Sequence, residues 1–200
     1  MNEAETRKHI LAVSRKCFLR FSYSKVTMDE VARELAMSKK TIYILFPSKK
    51  VIMEEVLKDF RAEVLVEINQ ILDDSSFTTI EKIRRMLVVT AEKFSAFSPY
   101  LLTDMERNVP DLWKQFKVMK HELVFKNVKR LLEIAQKNKE VRSEVNLDLL
   151  MVLYSAAVSY LRDTNFLNDF SKEIQDQLPA TSDKTFEGVV GLLFQGILQA

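Results

Sequence analysis

The chain has 200 residues, 47% of them hydrophobic and 29% charged, which is ample material for a core and excludes a disordered or collagen-like chain. Only three glycines and four prolines are present, so turns are scarce, which argues against an all-β fold and favours long helices. The formal net charge of +2 hides an asymmetry: residues 1–50 hold eleven Lys/Arg against five Asp/Glu, while the remainder is net acidic, and the basic end is the candidate face for a polyanion.

Helical periodicity opens at about Glu3 and runs to Phe21, with Ile10, Ser14, Cys17, Phe18 and Phe21 on one face. Cys17 is the only cysteine, so an intramolecular disulfide is excluded and the thiol reads as a small core group. The polar start, Met1 to Lys8, is no secretory signal, and a cytoplasmic protein is expected. After a linker from Ser22 to Val26, Thr27-Met28-Asp29-Glu30 forms a capping box that opens a second helix with Met28, Val31, Ala32 and Leu35 inward. Ser38 caps a third, short helix from Lys39 to Leu45, halted by Pro47.

Ser48 opens a long fourth helix to about Leu72, which ends at the turn Asp73-Asp74-Ser75-Ser76; no flexible linker separates it from the basic segment. Further helices are expected over Thr79 to Phe97, Pro99 to Asn108, Asp111 to about Lys137, Leu147 to Thr164 and Lys184 to Gln199, with Asn165 to Asp183 the least regular stretch. The longest uncharged apolar run, Leu149 to Leu161, has thirteen residues, short of the roughly eighteen needed to cross a bilayer. It reads as a buried helix. The result is an all-α protein of about nine helices, divided into residues 1–47 and 48–200.

Two short helices joined by a tight turn, the second bearing cations, describe a helix-turn-helix whose recognition helix enters the major groove. Ile42 and Phe46, four apart, pin that helix inward and leave Lys39, Lys40, Thr41 and Tyr43 outward. Lysine reaches phosphate or guanine, threonine can touch a thymine methyl, and a tyrosine hydroxyl donates to phosphate. Lys49 and Lys50 at the start of the fourth helix read as a second phosphate clamp. Any one of these lysines is explained by solvation; their joint placement is what points to nucleic acid.

Over about 50 residues the sequence resembles the tetracycline-repressor (TetR) family of bacterial regulators. The match runs through Ile10-Leu11, Phe18, Thr27-Met28-Asp29-Glu30-Val31-Ala32, Ser38, Thr41-Ile42-Tyr43, Phe46 and Ser48-Lys49-Lys50. The resemblance implies a homodimer on double-stranded, roughly palindromic operator DNA, with a helical C-terminal domain that binds a small effector. It carries DNA contacts onto Thr27, Lys39, Thr41, Tyr43 and Lys49; Ser38, Lys40 and Lys50 complete the set expected at the DNA. Three positions depart from the family pattern: Ser22 and Ala36 stand where glycine is usual, so any left-handed backbone there costs roughly 1 kcal/mol or more, and Leu45 replaces a phosphate-binding histidine.

The helices at 147–164 and 184–199 are the most apolar, and the resemblance implies that the dimer interface lies there, through Leu150, Met151, Tyr154, Val158 and Leu161 on one and Phe186, Val189, Val190, Leu193, Phe194 and Ile197 on the other. Gly188 and Gly191 would permit close backbone approach. A middle region rich in flat rings and thioethers, with Met86, Phe94, Phe97, Tyr100, Leu101, Met105, Trp113, Phe116 and Met119, is expected to line a mainly apolar effector pocket. Asp104, His121, Glu122 and Tyr154 would orient the ligand. Core filling is the competing account of each of these side chains.

An enzyme is disfavoured: the two histidines, His9 and His121, lie far apart and form no metal spacing, and no metal or covalent cofactor is suggested. A helical adaptor or small-molecule carrier that never touches DNA is the second rival, separated from a regulator only by the basic N-terminal constellation.

Overall fold

The computed structural model describes residues 2–161, 164–179 and 182–198. Every regular element among them is helical, apart from one isolated bridge between Val141 and Leu198. The order is α1 (Glu3–Phe21), α2 (Met28–Glu34), α3 (Lys39–Leu45), α4 (Lys49–Asp73), α5 (Thr79–Ser95), α6 (Pro99–Asn108), α7 (Pro110–Lys120), a π-helical segment (His121–Lys126), α8 (Asn127–Lys137), α9 (Leu147–Tyr160), α10 (Thr164–Leu167), α11 (Lys172–Gln177) and α12 (Ser182–Gln195).

Boundaries follow the capping chemistry. Thr78 and Ser98 accept from the N–H groups of Glu81 and Leu101 to open α5 and α6, and Asn146 accepts from Leu149 N–H to open α9. The single helix expected from Asp111 to Lys137 is one continuous helical run whose middle widens into a π segment, a local excess that period counting does not detect. The stretch expected to be irregular contains two short helices, α10 and α11. The expected final residue Gln199 lies outside the described residues, as does the chain at 162–163 just before the expected end at Thr164. Among the described residues no helix is long and apolar enough to cross a membrane.

The chain packs as two compact units, Met1–Glu63 with Phe97–Met119, and Val64–Ala96 with Lys120–Ala200. These units are drawn elsewhere than the boundary expected after residue 47, because the first half of α4 is built into the N-terminal core through Ile52, Met53, Val56 and Phe60, all buried. In this first unit Ile10, Phe18, Val31, Ile42 and Phe46 join those residues and the buried Leu101, Met105, Leu112 and Phe116 in the core. The second unit is centred on Ile83, Met86, Val128, Leu132, Phe186 and Phe194.

Ser22 and Ala36 both take positive φ, 75° and 50°. At Ser22 the ψ of 169° places the residue in a region that is essentially reserved for glycine. Ala36 is the left-handed residue of a Schellman motif closing α2: Met37 N–H donates to Ala32 C=O at 2.9 Å and Ala36 N–H to Arg33 C=O at 3.1 Å. The turn between α2 and α3 thus keeps a glycine-type geometry without the glycine.

Candidate nucleic-acid interface

The helix-turn-helix is fastened at each end. Thr27 Oγ1 accepts from Glu30 N–H at 3.2 Å and donates to the Glu30 carboxylate at 2.9 Å, which in turn accepts from Thr27 N–H at 2.9 Å. Those bonds hold the Glu30 carboxyl below its ordinary pKa. Ser38 Oγ accepts from Thr41 N–H at 3.1 Å, and the two hydroxyls share a hydrogen bond of 2.8 Å. Beneath α3, Ile42 and Phe46 are fully buried. Arg7, from α1, donates to Leu45 C=O at 2.9 Å and lies 4.4 Å above the Phe46 ring, tying down the helix C-terminus. Lys39, Lys40, Thr41 and Tyr43 are left exposed.

Their electrostatic states differ. Lys39 pairs with Asp29 at 2.7 Å and Lys50 with Asp111 at 3.2 Å, both in exposed pairs that are worth about 0.2–1 kcal/mol and are readily exchanged for a phosphate. Lys40 and the Tyr43 hydroxyl have no hydrogen-bond or ion-pair partner among the described residues. Ile44, three and four positions beyond Thr41 and Lys40, is 72% exposed; an apolar side chain in this position is suited to a thymine methyl. Sequence patterning missed it, since an isoleucine in a helix reads as core.

Lys49 is employed differently from the clamp expected of it. Its ammonium donates to Tyr23 C=O and Val26 C=O at 2.9 Å each, lies 3.5 Å from Ser24 C=O and sits 4.5 Å from the Tyr23 ring centroid. Burial lowers its pKa, with Asp104 partly offsetting that. The charge closes the linker between α1 and α2. Asp104 serves the same linker: it accepts from Ser24 N–H at 2.7 Å and from Asn108 Nδ2 at 2.8 Å. Burial alone would raise its pKa, but these bonds outweigh it and the carboxyl is held below the ordinary value. Asp104 is therefore a loop clamp and not a ligand-orienting group. Thr27, too, has its hydroxyl committed within the capping box.

The residues expected to line one apolar pocket are not gathered around one. In the first unit Phe97 packs against Phe60 and Phe116, each at 4.8 Å between centroids, and Trp113 lies 5.9 Å from Phe116. Leu101, Met105 and Met119 are buried in the same unit, whereas Tyr100 is 57% exposed and holds Lys25 over its face at 5.4 Å. In the second unit Met86, Phe94 and Tyr154 are buried, and His121 and Glu122 are exposed. Helical periodicity places rings on an inward face but does not distinguish a filled core from a cavity wall.

What the second unit does contain is a small void of about 10 Å³ bounded by Thr90, Phe94, Lys120, Tyr154 and Val158. An open groove of about 1020 Å³ also runs between the π segment with α8 and α9; apolar Phe125, Met151 and Val152 share its lining with charged Lys126, Lys129, Arg130, Glu133 and Asp148. Lys120 was not singled out from the sequence. The available signal was its place four residues after Phe116 and four before Val124, both buried.

The stripes expected at a dimer interface are turned inward. Leu150, Met151, Tyr154, Phe186, Val190, Phe194 and Ile197 are buried within the subunit, and Val158, Leu161, Val189 and Leu193 are half-buried. The opposite face of α9 carries Leu149, Val152, Leu153 and Tyr160, each more than half exposed, and Leu192 of α12 is 73% exposed. Helix α9 is apolar on both faces, so composition alone could not decide which face packs internally. A Cβ added at Gly188 or Gly191 would meet nothing within 4 Å.

Residues 10–56 match the profile described as bacterial regulatory proteins, tetR family, a span that contains the whole helix-turn-helix. The HTH-type transcriptional regulator YvaF of Bacillus subtilis (strain 168) is 26% identical over 191 residues, covering 95% of this chain and 94% of that protein. Among solved structures, the ketosteroid transcriptional regulator KstR2 of Mycobacterium tuberculosis shares the fold with a TM-score of 0.68 at 16% identity, covering 98% of this chain and 96% of that one. The TetR-family regulator PfmR of Thermus thermophilus does so with a TM-score of 0.67 at 19% identity, covering 93% and 97%. A match of this extent sets aside both an enzyme and an adaptor without DNA contact. Residues 10–56 thus carry the DNA-binding helix-turn-helix of the tetR family of bacterial regulatory proteins, and over nearly its whole length the chain is similar to an HTH-type transcriptional regulator.

Proposed function

We propose that the protein is a repressor, acting as a homodimer on double-stranded operator DNA and released by a small, largely apolar effector. Residues 1–47 read the DNA and 48–200 bind the effector and the second subunit. The observation that carries this reading is the outward set Lys39, Lys40, Thr41 and Tyr43 on a helix locked from beneath by Ile42 and Phe46 and at its end by Arg7. Lys40, Lys50 and Tyr43 contact phosphates, Thr41 and Ile44 meet base edges, and Lys39 exchanges Asp29 for DNA. Ser38, Thr27 and Lys49 position the reader by closing α3, α2 and the linker before them.

The exposed apolar side chains Leu149 and Leu153 of α9 and Leu192 of α12 support a helical interface between two copies, and the open surroundings of Gly188 and Gly191 suit close approach of a partner helix. Effector binding favours a dimer geometry in which the two recognition helices no longer match major grooves about 34 Å apart. A coupling of about 1–3 kcal/mol weakens operator binding roughly 5- to 150-fold. The test is a gel-shift titration of the protein on DNA upstream of its own gene, with candidate compounds added. Specific retardation that an apolar compound reverses supports the reading; retardation indifferent to a compound that binds the protein removes the switch.

A further inference from the structure

In the second unit the end of α4, α5 and α12 border an open groove of about 870 Å³, with Ile71, Phe77, Val88 and Val190 among its apolar lining. Five carboxylates and two guanidiniums share that lining, and most of them are already committed. Glu67 pairs with Lys93, Asp74 accepts from Ser76 N–H and Oγ at 2.8 and 2.6 Å, and Glu81 accepts from Thr78 N–H and Oγ1 at 2.8 and 2.9 Å. Glu92 has an interaction of its own. Arg85 lies 4.0 Å over the Phe77 ring, and after the Ser76 and Thr78 bonds its charge helps to hold Asp74 and Glu81 below the ordinary carboxyl range.

Arg84 and Glu187 are left over. Arg84 is half-buried, with its guanidinium 5.0 Å above the ring of the fully buried Phe194. Its Nε is buried without a hydrogen-bond partner, and no hydrogen bond or ion pair engages the rest of the group among the described residues. A charged donor withdrawn from water in this way is costly and is retained where something else satisfies it. Glu187, exposed on α12, likewise has no hydrogen bond or ion pair among the described residues. The two opposite charges line one groove without meeting. Glu187 and the Phe194 beneath Arg84 stand seven positions apart on one face of α12, about 10 Å along its axis. Leu192 is two positions from both Val190 and Phe194, about 200° around the helix, so the groove lies on a different side of α12 from the exposed leucine.

We infer that this groove binds a small zwitterion, an α-amino acid with an apolar side chain, whose carboxylate takes Arg84 and whose ammonium takes Glu187. A planar guanidinium fixed by stacking presents its outer nitrogens as a fork for a carboxylate. A carboxylate and an ammonium one carbon apart, each held by a charge-assisted bond of about 2.8 Å, bridge a gap of this order. The lining rejects the simpler ligands. A plain acid meets five carboxylates against two cations, and a plain amine leaves Arg84 unpaired. Ile71, Val88 and Val190 receive the side chain. The site goes beyond the effector-released reading above and does not depend on it, because occupancy here is measured without DNA.

The experiment is isothermal calorimetry on the full chain without DNA, using L-leucine and L-phenylalanine. Each is measured beside its deaminated acid, isocaproate or hydrocinnamate, and its decarboxylated amine, isoamylamine or phenethylamine. At least one amino acid is expected to bind about ten-fold or more tightly than either of its truncated analogues, the loss that goes with one charge-assisted bond in a partly solvated site. Glu187→Gln, at an exposed position, should remove the preference for the amino acid over the acid. Arg84→Met should remove the preference over the amine. A readout that needs no variant is the arginine Nε–H NMR spectrum of the native protein, in which the amino acid and not the amine should move the Arg84 signal. Should Arg84→Met fail to fold, the Glu187→Gln ratio and that signal decide. No saturable binding of either amino acid, truncated analogues that bind as tightly, a preference over the acid that survives in Glu187→Gln, or an unmoved Arg84 signal overturns the inference.

Discussion

Lys49 and Lys40 lie nine positions apart, and opposite outcomes are expected when each is removed. In Lys49→Met the two 2.9 Å bonds to Tyr23 C=O and Val26 C=O are lost, leaving two part-buried carbonyls of the linker unpaired. Charge-assisted bonds are worth about 1.5–3 kcal/mol each when well buried; halved for partial exposure, the pair amounts to roughly 2 kcal/mol. For a chain of this size that lowers the thermal midpoint by about 4–8 °C. Lys40→Ala removes an exposed side chain without partners from a helix and should leave the midpoint within about 1 °C. On DNA the order reverses. Each phosphate contact contributes about 0.9 to the slope of log affinity against log salt, so losing Lys40 from both copies of a dimer flattens the slope by about 1.8. Lys49→Met, assayed well below its midpoint, should keep the native slope. Calorimetry and fluorescence anisotropy on the upstream duplex between about 50 and 200 mM salt measure both quantities. A flatter slope in Lys49→Met at an unchanged midpoint would refute the argument, since it would mean that this ammonium neutralises a phosphate and not the linker carbonyls.

Ser22→Gly should raise the thermal midpoint by about 2–4 °C, because relief of a conformation costing about 1–3 kcal/mol outweighs the entropy that glycine adds to the unfolded chain; Ala36→Gly, in the milder left-handed well, should gain less, and a drop in both would refute the assignment of strain. Leu149→Glu with Leu153→Glu should convert a dimer to a monomer by light scattering without unfolding it, since both side chains are more than half exposed in the subunit; an unchanged dimer would move the interface elsewhere. The Asp104 carboxylate has a folded pKa below its unfolded value, so its stabilising effect is complete above about pH 4 and is lost as pH falls through the folded value. The gap in thermal midpoint between the native protein and Asp104→Asn should accordingly stay constant from about pH 7 to 5 and close under more acid conditions; a gap that widens in acid would contradict the hydrogen-bonded clamp.

The helix-turn-helix was legible because its signals are local. A threonine with glutamate three residues on opens α2, a serine caps α3, and Ile42 and Phe46 stand four apart on one face, so propensity, capping and periodicity all operate within a single turn of helix. The positive φ at Ser22 and Ala36 was foreseeable only through the resemblance, in which glycine is usual at both positions. Lys49 was not: nothing near it in the chain announces that the carbonyls of residues 23–26 fold back over its ammonium, a contact spanning more than twenty positions.

In the C-terminal region the order of difficulty reverses. Apolar periodicity correctly marked helices, yet α9 is apolar all round, and whether Leu150 or Leu149 faces inward depends on where α5, α8 and α12 come to rest. For the same reason the expected pocket dissolved into a ring cluster around Phe97 and a separate void beside Lys120. Helix identity, caps and the outward face of α3 follow from interactions between residues fewer than five apart, which the linear order of the chain specifies directly. Which apolar face is covered, which lysine is satisfied and where empty volume remains follow from contacts between distant segments, and these exist only once the helices have packed.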